Sequence, residues 1–423
     1  MRKKLFNLTT ESHDDVSNCD YKILDELHDQ NCEVLDSLER DADLISDKVI
    51  VIEQATEELK YLNKLQSIAT EDMSLTSIKL ANITVGSIGS KLGMSYTNIS
   101  VEAVDIKQTA KDTGAAIKKY VMIAIEAIKK TVKWVIAKIK QWKEQLETHT
   151  TKLTEECNLL TKLVDTRLNK DRDTAKDSDL ISTGNVRELA KLFSCHGVAN
   201  RDSIKANFQN AKRLMLIGQL QYITAGKEYK EALDKDKGNL AHGGQSALVD
   251  VEIAYDRHKK ALATQFDNEL LPIGPDVKHG FVGSQVNLSV RGDKLEFKED
   301  KITVKADSIH LLGKDKLHDI LKDNILLVNQ LKGYKTTIEK ASETVKAIEA
   351  SSTSFLEACV KAGDITASDQ EIVKTLTQFY TMDLISKAAV EFSVNAGRVA
   401  NRTNQYVKVC LREFDKRRRT SRV

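Results

Sequence analysis

Proline is almost absent from this sequence, with 2 residues in 423, where an average usage of about 5% would give roughly twenty. Because proline removes a backbone donor and clashes inside a helix, so little of it favours long uninterrupted helices. Aromatic residues are also scarce at 5%, whereas charged residues make up 30%. We therefore predict a mainly α fold of elongated helical bundles and coiled-coil helices with narrow cores, and turn-dense sandwiches and barrels are disfavoured.

Several functional classes lack their sequence signatures. The six cysteines show no C-x-x-C spacing, which indicates reduced thiols rather than a disulfide or metal framework. The start of the chain lacks the apolar stretch of a secretory signal, and no run of 18 uncharged apolar residues occurs, so we expect synthesis in the cytoplasm and no spanning helix. Cys195 and His196 are adjacent and would point about 100° apart on a helix. We predict no enzyme activity, no metal and no cofactor.

Charge is divided unevenly along the chain. Residues 1–102 contain 19 acidic and 10 basic residues, a net charge of −9, so that with the whole chain at +2 residues 103–423 carry +11. Within the acidic segment, apolar residues at three- and four-residue spacings predict a helix over 20–66. The stretch 67–102 is rich in small and β-branched residues and contains Gly86, Gly89 and Gly93, which predicts a flexible linker.

A lysine-rich amphipathic helix is predicted over 115–147, within a basic helical region at 103–270. Apolar residues at 121, 125, 128, 132, 135, 139, 142 and 146 form a heptad seam, and residues 117–143 contain eight lysines and one acidic residue. Residues 271–312 change to a period of two around QVNLSVR, KLEFK and KITVKA, which predicts a small antiparallel β-meander insertion. Helices resume over 313–423 and end in the basic tail REFDKRRRTSRV.

Two short sequences near the end of the acidic segment are candidate protease sites. A small residue stands two positions before Glu71 and before Glu102, in stretches predicted to be accessible as extended backbone. Together with the acidic segment and the lysine-rich helix that follows, these sequences resemble the internal head proteins of large tailed bacteriophages. The resemblance implies incorporation into the prohead core and trimming after small-x-Glu by a prohead protease. Thr9-Thr10-Glu11 departs from the pattern because Thr occupies the small position.

We therefore predict a virion structural protein of the capsid interior, made in the host cytoplasm and assembled with the prohead beside capsid or other core proteins. Loss of the acidic propeptide would leave a basic part near packaged DNA, where cationic side chains neutralise phosphates. The candidate contacts are Lys118, Lys119, Lys129, Lys130, Lys133, Lys138, Lys140, Lys143, Arg417, Arg418 and Arg419.

Other uses of the lysine-rich helix stay open at this point. Its seam could pack on helices of the same chain with the lysines simply solvated. It could instead lie on an anionic membrane with Trp134 and Trp142 at the interface, as in a pore-forming or ejected protein. The heptads would also suit a coiled-coil adaptor of a bacterial cytoplasm.

Overall fold

The structure is a computed structural model in which most of the chain is described. The described residues are 13–68, 75–93, 106–176, 178–182, 186–193, 198–236, 280–281, 284–291, 294–301, 308–362 and 390–421, with single positions between 253 and 264 and at 370. The last part of the predicted basic helical region, from residue 237 to 270, and both prolines therefore lie largely or wholly outside the described residues.

Helices dominate the described part of the chain. They are α1 (His13–Ile68), α2 (Leu75–Leu92), α3 (Ile106–Arg167), α4 (Val186–Phe193), α5 (Arg201–Asp236), α6 (Lys314–Ala362) and α7 (Phe392–Thr420). The strands are short: β1 (Leu180–Ile181), β2 (Val198–Ala199), β3 (Gly280–Phe281), β4 (Ser284–Arg291), β5 (Lys294–Lys301) and β6 (Ser308–His310). The prediction of a mainly α fold is confirmed.

The core follows the two longest helices, α1 and α3, which pack along each other. All eight positions of the predicted heptad seam in α3 are at most 9% exposed. Helix α1 faces this seam with buried apolar side chains at three- and four-residue spacings, including Leu38, Ile45 and Val49. Helices α6 and α7 pack against α3, and α5 packs against α6 and α7, which completes a bundle around this pair.

The prediction of a flexible linker over 67–102 is wrong for its central part. Residues 75–92 form α2, in which Ala81, Val85 and Ile88 are buried at helical spacing against the core. Burial of this stripe outweighs the poor intrinsic helix propensity of the glycine and β-branched residues around it. The helix ends at Gly93, whose φ of 66° is the left-handed conformation that favours glycine after a helix.

The β structure forms two separate sheets. Strands β3, β4 and β5 form an antiparallel sheet in which Ser284 pairs with Lys301 and Arg291 with Lys294, which confirms the first two strands of the predicted meander. The third predicted strand, 301–306, lies mostly outside the described residues. In the second sheet β6 is central, antiparallel to β1 and parallel to β2, a sheet that the sequence did not predict.

The last helix, α7, connects this second sheet to the bundle. Tyr406 is fully buried, with its hydroxyl 2.7 Å from the carbonyl oxygen of His310 in β6 and 3.2 Å from that of Ala199 in β2. Its ring meets Phe193 of α4 edge-on, with centroids 6.1 Å apart. The helix continues to Thr420, so most of the segment predicted as a basic tail is helical.

Candidate functional site

The lysine-rich helix is the central part of α3 rather than an independent element. Its apolar seam is buried in the bundle, so the seam packs on helices of the same chain. Trp142 is fully buried and donates a hydrogen bond from Nε1 to the carbonyl oxygen of Leu38, at 3.2 Å. The hypothesis that Trp142 lies at a membrane interface is therefore wrong, whereas Trp134 is 38% exposed.

Five of the eight predicted lysine contacts share one open face of α3. Their residues are exposed, and their ammonium groups have no ion-pair partner within the described part of the chain. At about 100° per residue they fall within roughly a third of the helix circumference, and at about 1.5 Å per residue they extend over about 33 Å. We call this face the lysine stripe; its members are Lys118, Lys119, Lys130, Lys133 and Lys140.

The other three lysines of the set take part in contacts inside the protein. Lys138 Nζ is 2.9 Å from Oδ1 of Asp41 in α1, and both side chains are largely buried. Lys143 pairs with Glu339 of α6, and Lys129 lies 3.3 Å from Glu126 one turn earlier in α3. Lys138 and Lys143 therefore join α3 to neighbouring helices, whereas Lys129 is paired within α3 itself.

Two of the three predicted arginine contacts are also used internally. Arg417 Nη1 is 3.1 Å from Asp179, and Arg418 binds Asp173 through Nη2 at 2.9 Å. Arg418 also donates to the carbonyl oxygen of Arg167 at the end of α3. These bonds fasten the segment after α3 to the last turns of α7. Of the three, only Arg419 is exposed.

Four carboxylates of α1 form ion pairs with basic groups of α3 and α7. Besides Asp41, Asp20 is 3.0 Å from Arg167, and Glu39 is 2.6 Å from Arg398. Asp25 lies 3.1 Å from Lys408 and 2.5 Å from Arg412; burial raises the Asp25 pKa, but hydrogen bonds and charges from these two residues outweigh it and lower the pKa. Four carboxylates of the acidic segment are thus paired with basic groups of the rest of the protein.

A buried polar network crosses the interior of the bundle. Glu156 of α3 is 0% exposed; its Oε1 is 2.9 Å from Nδ1 of His28, and its Oε2 accepts hydrogen bonds from Asn31 at 2.7 Å and from Asn404 at 3.1 Å. Asn324 of α6 donates to Asn404 Oδ1 at 2.8 Å. The network therefore joins α1, α3, α6 and α7 through charge-assisted hydrogen bonds.

His28 carries a positive charge in this network at neutral pH. Burial alone lowers its pKa, but hydrogen bonds to Cys32 and Glu156 and the negative charge of Glu156 outweigh burial and raise the pKa to about 9. Sequence reasoning missed this group because His28 and Glu156 are 128 residues apart. The only local signal was the four-residue spacing of His28 and Cys32 on one face of a predicted helix.

The two candidate cleavage residues, Glu71 and Glu102, lie outside the described residues. They fall in the two connections that flank α2, between Ile68 and Leu75 and between Gly93 and Ile106. Across the described ranges, no grouping of His, Cys, Asp and Glu could hold a metal ion. Nor does any helix in those ranges combine the length and apolar character needed to cross a bilayer.

Comparison with known proteins gives one match. Residues 30–186 match the family model of phiKZ-like phage internal head proteins. This segment covers most of α1, all of α2 and α3, and the chain as far as the start of α4. No curated protein and no solved structure matches the chain. The match confirms the resemblance to internal head proteins of large phages that the sequence suggested.

Proposed function

We propose that this chain is a phage internal head protein of the capsid interior, a structural component that assembles with the prohead and presents the lysine stripe to packaged DNA. The observation that carries the proposal is the separation of charge across the bundle. Four carboxylates of α1 are paired with basic groups of α3 and α7, whereas the five exposed lysines of the stripe have no ion-pair partner among the described residues. In this role the protein is a substrate of the prohead protease and not an enzyme, and its other partners are capsid or core proteins.

The processing step of the proposal concerns the two connections that flank α2. Cleavage after Glu71 or Glu102 would separate α1 in sequence from α3, in line with the small-x-Glu pattern. The packing of α1 favours its retention after such a cut, in place of the propeptide loss predicted from sequence. Eight large aliphatic side chains of α1 are buried: Leu24, Leu35, Leu38, Ile45, Val49, Ile52, Leu59 and Leu62. Burial of each contributes about 1.5–3 kcal/mol, so together they contribute more than about 10 kcal/mol.

Mass spectrometry of purified virions tests the processing step. We expect new N-termini immediately after Glu71 or Glu102, with peptides from 20–66 as abundant as peptides from 314–362. Glu71→Gln and Glu102→Gln should each abolish the corresponding cut, and Glu11→Gln, in the triplet with Thr in the small position, is the matched control. An intact N-terminal half in mature virions would refute cleavage, and loss of the 20–66 peptides would restore the hypothesis of a discarded propeptide.

Salt-dependent DNA binding tests the lysine stripe. Each phosphate neutralised adds about 0.9 to the magnitude of the slope of log affinity against log salt, so the slope should fall by about 4.5 when all five stripe lysines become glutamine. The matched control replaces five exposed lysines of α1 and α6 by glutamine and keeps the same change in charge: Lys22, Lys48, Lys322, Lys332 and Lys361. Equal loss of binding in both variants would refute a dedicated surface.

A further inference from the structure

Cys32 lies at the edge of the buried network, next to a histidine and carboxylate pair. Its Sγ is 3.7 Å from Nε2 of His28, whose Nδ1 is 2.9 Å from Oε1 of Glu156. Asn401 of α7, which is 1% exposed, points its Nδ2 at the same sulfur from 3.4 Å. Four side chains from three helices thus place a thiol, an imidazole and a carboxylate in series, with an amide donor on the sulfur.

This environment favours the thiolate form of Cys32. Burial raises the thiol pKa, but hydrogen bonds from His28 and Asn401 and the positive charges of His28 and Arg402 outweigh it, so the pKa lies below its usual value of 9.0. The charged groups around the pair are Glu156 of α3 and Arg402 and Lys408 of α7. Glu156 keeps His28 protonated, and the imidazolium in turn stabilises negative charge on the sulfur.

The buried cysteines of the bundle provide an internal contrast. Burial raises the pKa of both Cys157 and Cys410 to about 12, although both are close to hydrogen-bonding groups. Both are 0% exposed, whereas Cys32 is partly exposed. Reactivity of a thiol follows its thiolate fraction and its access to solvent, and Cys32 exceeds the other two in both respects.

The Asn401 side chain has a further property that suits a small polar reactant. Its Oδ1 is buried and has no hydrogen-bond partner among the described residues, as is also true of Oδ1 of Asn31 in the same network. A buried acceptor left without a partner is costly. A small reactant with a hydroxyl group carries the donor that such an acceptor lacks.

We propose that Cys32 is a modification site that reacts with a small peroxide to form a sulfenic acid. The thiolate attacks one oxygen of hydrogen peroxide, an S–O bond forms and the O–O bond breaks. The departing hydroxide takes the Nε2 proton of His28 and leaves as water, so the sulfur is oxidised by two electrons and the peroxide is reduced. Hydrogen peroxide is small and uncharged, as a partly buried sulfur between helices requires.

Trapping of the sulfenic acid in the full chain tests this proposal. The protein is treated with hydrogen peroxide over a range of pH, labelled with dimedone and digested, and labelling of the Cys32 peptide is compared with that of the Cys157 and Cys410 peptides. We expect labelling of Cys32 to exceed that of either buried cysteine by more than about tenfold. Its rate should rise with a midpoint below pH 9, and Cys32→Ser should remove the label.

A second measurement separates the proposed activation from simple exposure. His28→Gln should slow labelling of Cys32 at neutral pH by about tenfold and move the midpoint of the pH profile upward, with circular dichroism used to check that the variant is folded. If that variant does not fold, the pH profile of the unaltered protein decides alone. A midpoint at or above pH 9, or labelling no faster than that of Cys410, would overturn the proposal.

Discussion

Replacing His149 by leucine is expected to remove a pH-dependent weakness from the bundle. His149 of α3 is 0% exposed, and neither ring nitrogen has a hydrogen-bond partner among the described residues. Its Nε2 would lie 3.2 Å from a Cβ placed on Gly397 of α7, so the ring fills the space left by that glycine. A leucine has a similar volume and no polar atoms to leave without partners.

The magnitude follows from the pKa of the ring. Burial, and to a smaller extent the positive charge of Lys152, lowers the pKa of His149 from 6.5 to about 4. The unfolded chain therefore binds more protons than the folded chain between these values. The stability contributed by the neutral ring is present above pH 6.5 and is lost as the pH falls toward 4. The full difference is about 3 kcal/mol, of which about 2 kcal/mol is lost by pH 5.

Urea unfolding followed by circular dichroism at pH 7.5 and pH 5 measures this effect. Between the two pH values, the unaltered protein should lose about 2 kcal/mol more than His149→Leu. At pH 7.5 the variant should be at least as stable, because two unpartnered buried nitrogens have been removed. His318→Leu, at a partly exposed histidine beside Asp165, is the control and should keep the pH dependence. Equal losses in the unaltered protein and in His149→Leu would refute the reasoning.

Two paired substitutions test the packing of α3 and the end of α7. Trp142→Ala should lower the free energy of unfolding by about 3–5 kcal/mol, because it empties a fully buried site, whereas Trp134→Ala should cost less than about 1 kcal/mol; similar losses in urea unfolding would contradict this packing. Arg418→Ala should cost about 1–3 kcal/mol by leaving a largely buried carboxylate without its partner. Arg419→Ala, at an exposed position, should change stability by less than about 0.5 kcal/mol. Equal losses of stability for the two arginine variants in calorimetry would show that the ion pair of Arg418 with Asp173 does not stabilise the fold.

The long helices were predictable because their information is local. The heptad seam of α3 repeats often enough to define one face, and every position of that seam is buried. The predicted helix over 20–66 lies within α1, and the basic helical region predicted over 103–270 contains α3, α4 and α5. In each case, the three- and four-residue spacing of apolar residues repeats over enough positions to predict a helix.

The missed features depend on contacts between distant parts of the chain. Helix α2 has glycines and β-branched residues that disfavour a helix locally, and only its buried face, with Ala81, Val85 and Ile88, explains why it forms. Strands of two or three residues, such as β1 and β6, are too short to show a period of two. The network around Glu156 joins four helices, and no spacing along the sequence indicates that these polar groups meet.

The charge division read from the sequence acquires a different meaning in the folded protein. A segment of −9 followed by one of +11 suggested two parts with different partners. In the structure, however, Asp20, Asp25, Glu39 and Asp41 of the acidic segment contact basic groups of α3 and α7.

This internal matching bears directly on what a cut beside α2 would do. The two pieces would still be held by buried apolar contacts and by ion pairs, of which the largely buried pair of Lys138 and Asp41 is screened by salt less than the more exposed ones. A cut would therefore break the chain between α1 and α3 but would leave the acidic residues of α1 in the bundle. Under the proposed function the contact with packaged DNA is made by the lysine stripe, whose five lysines form no ion pair with α1 among the described residues.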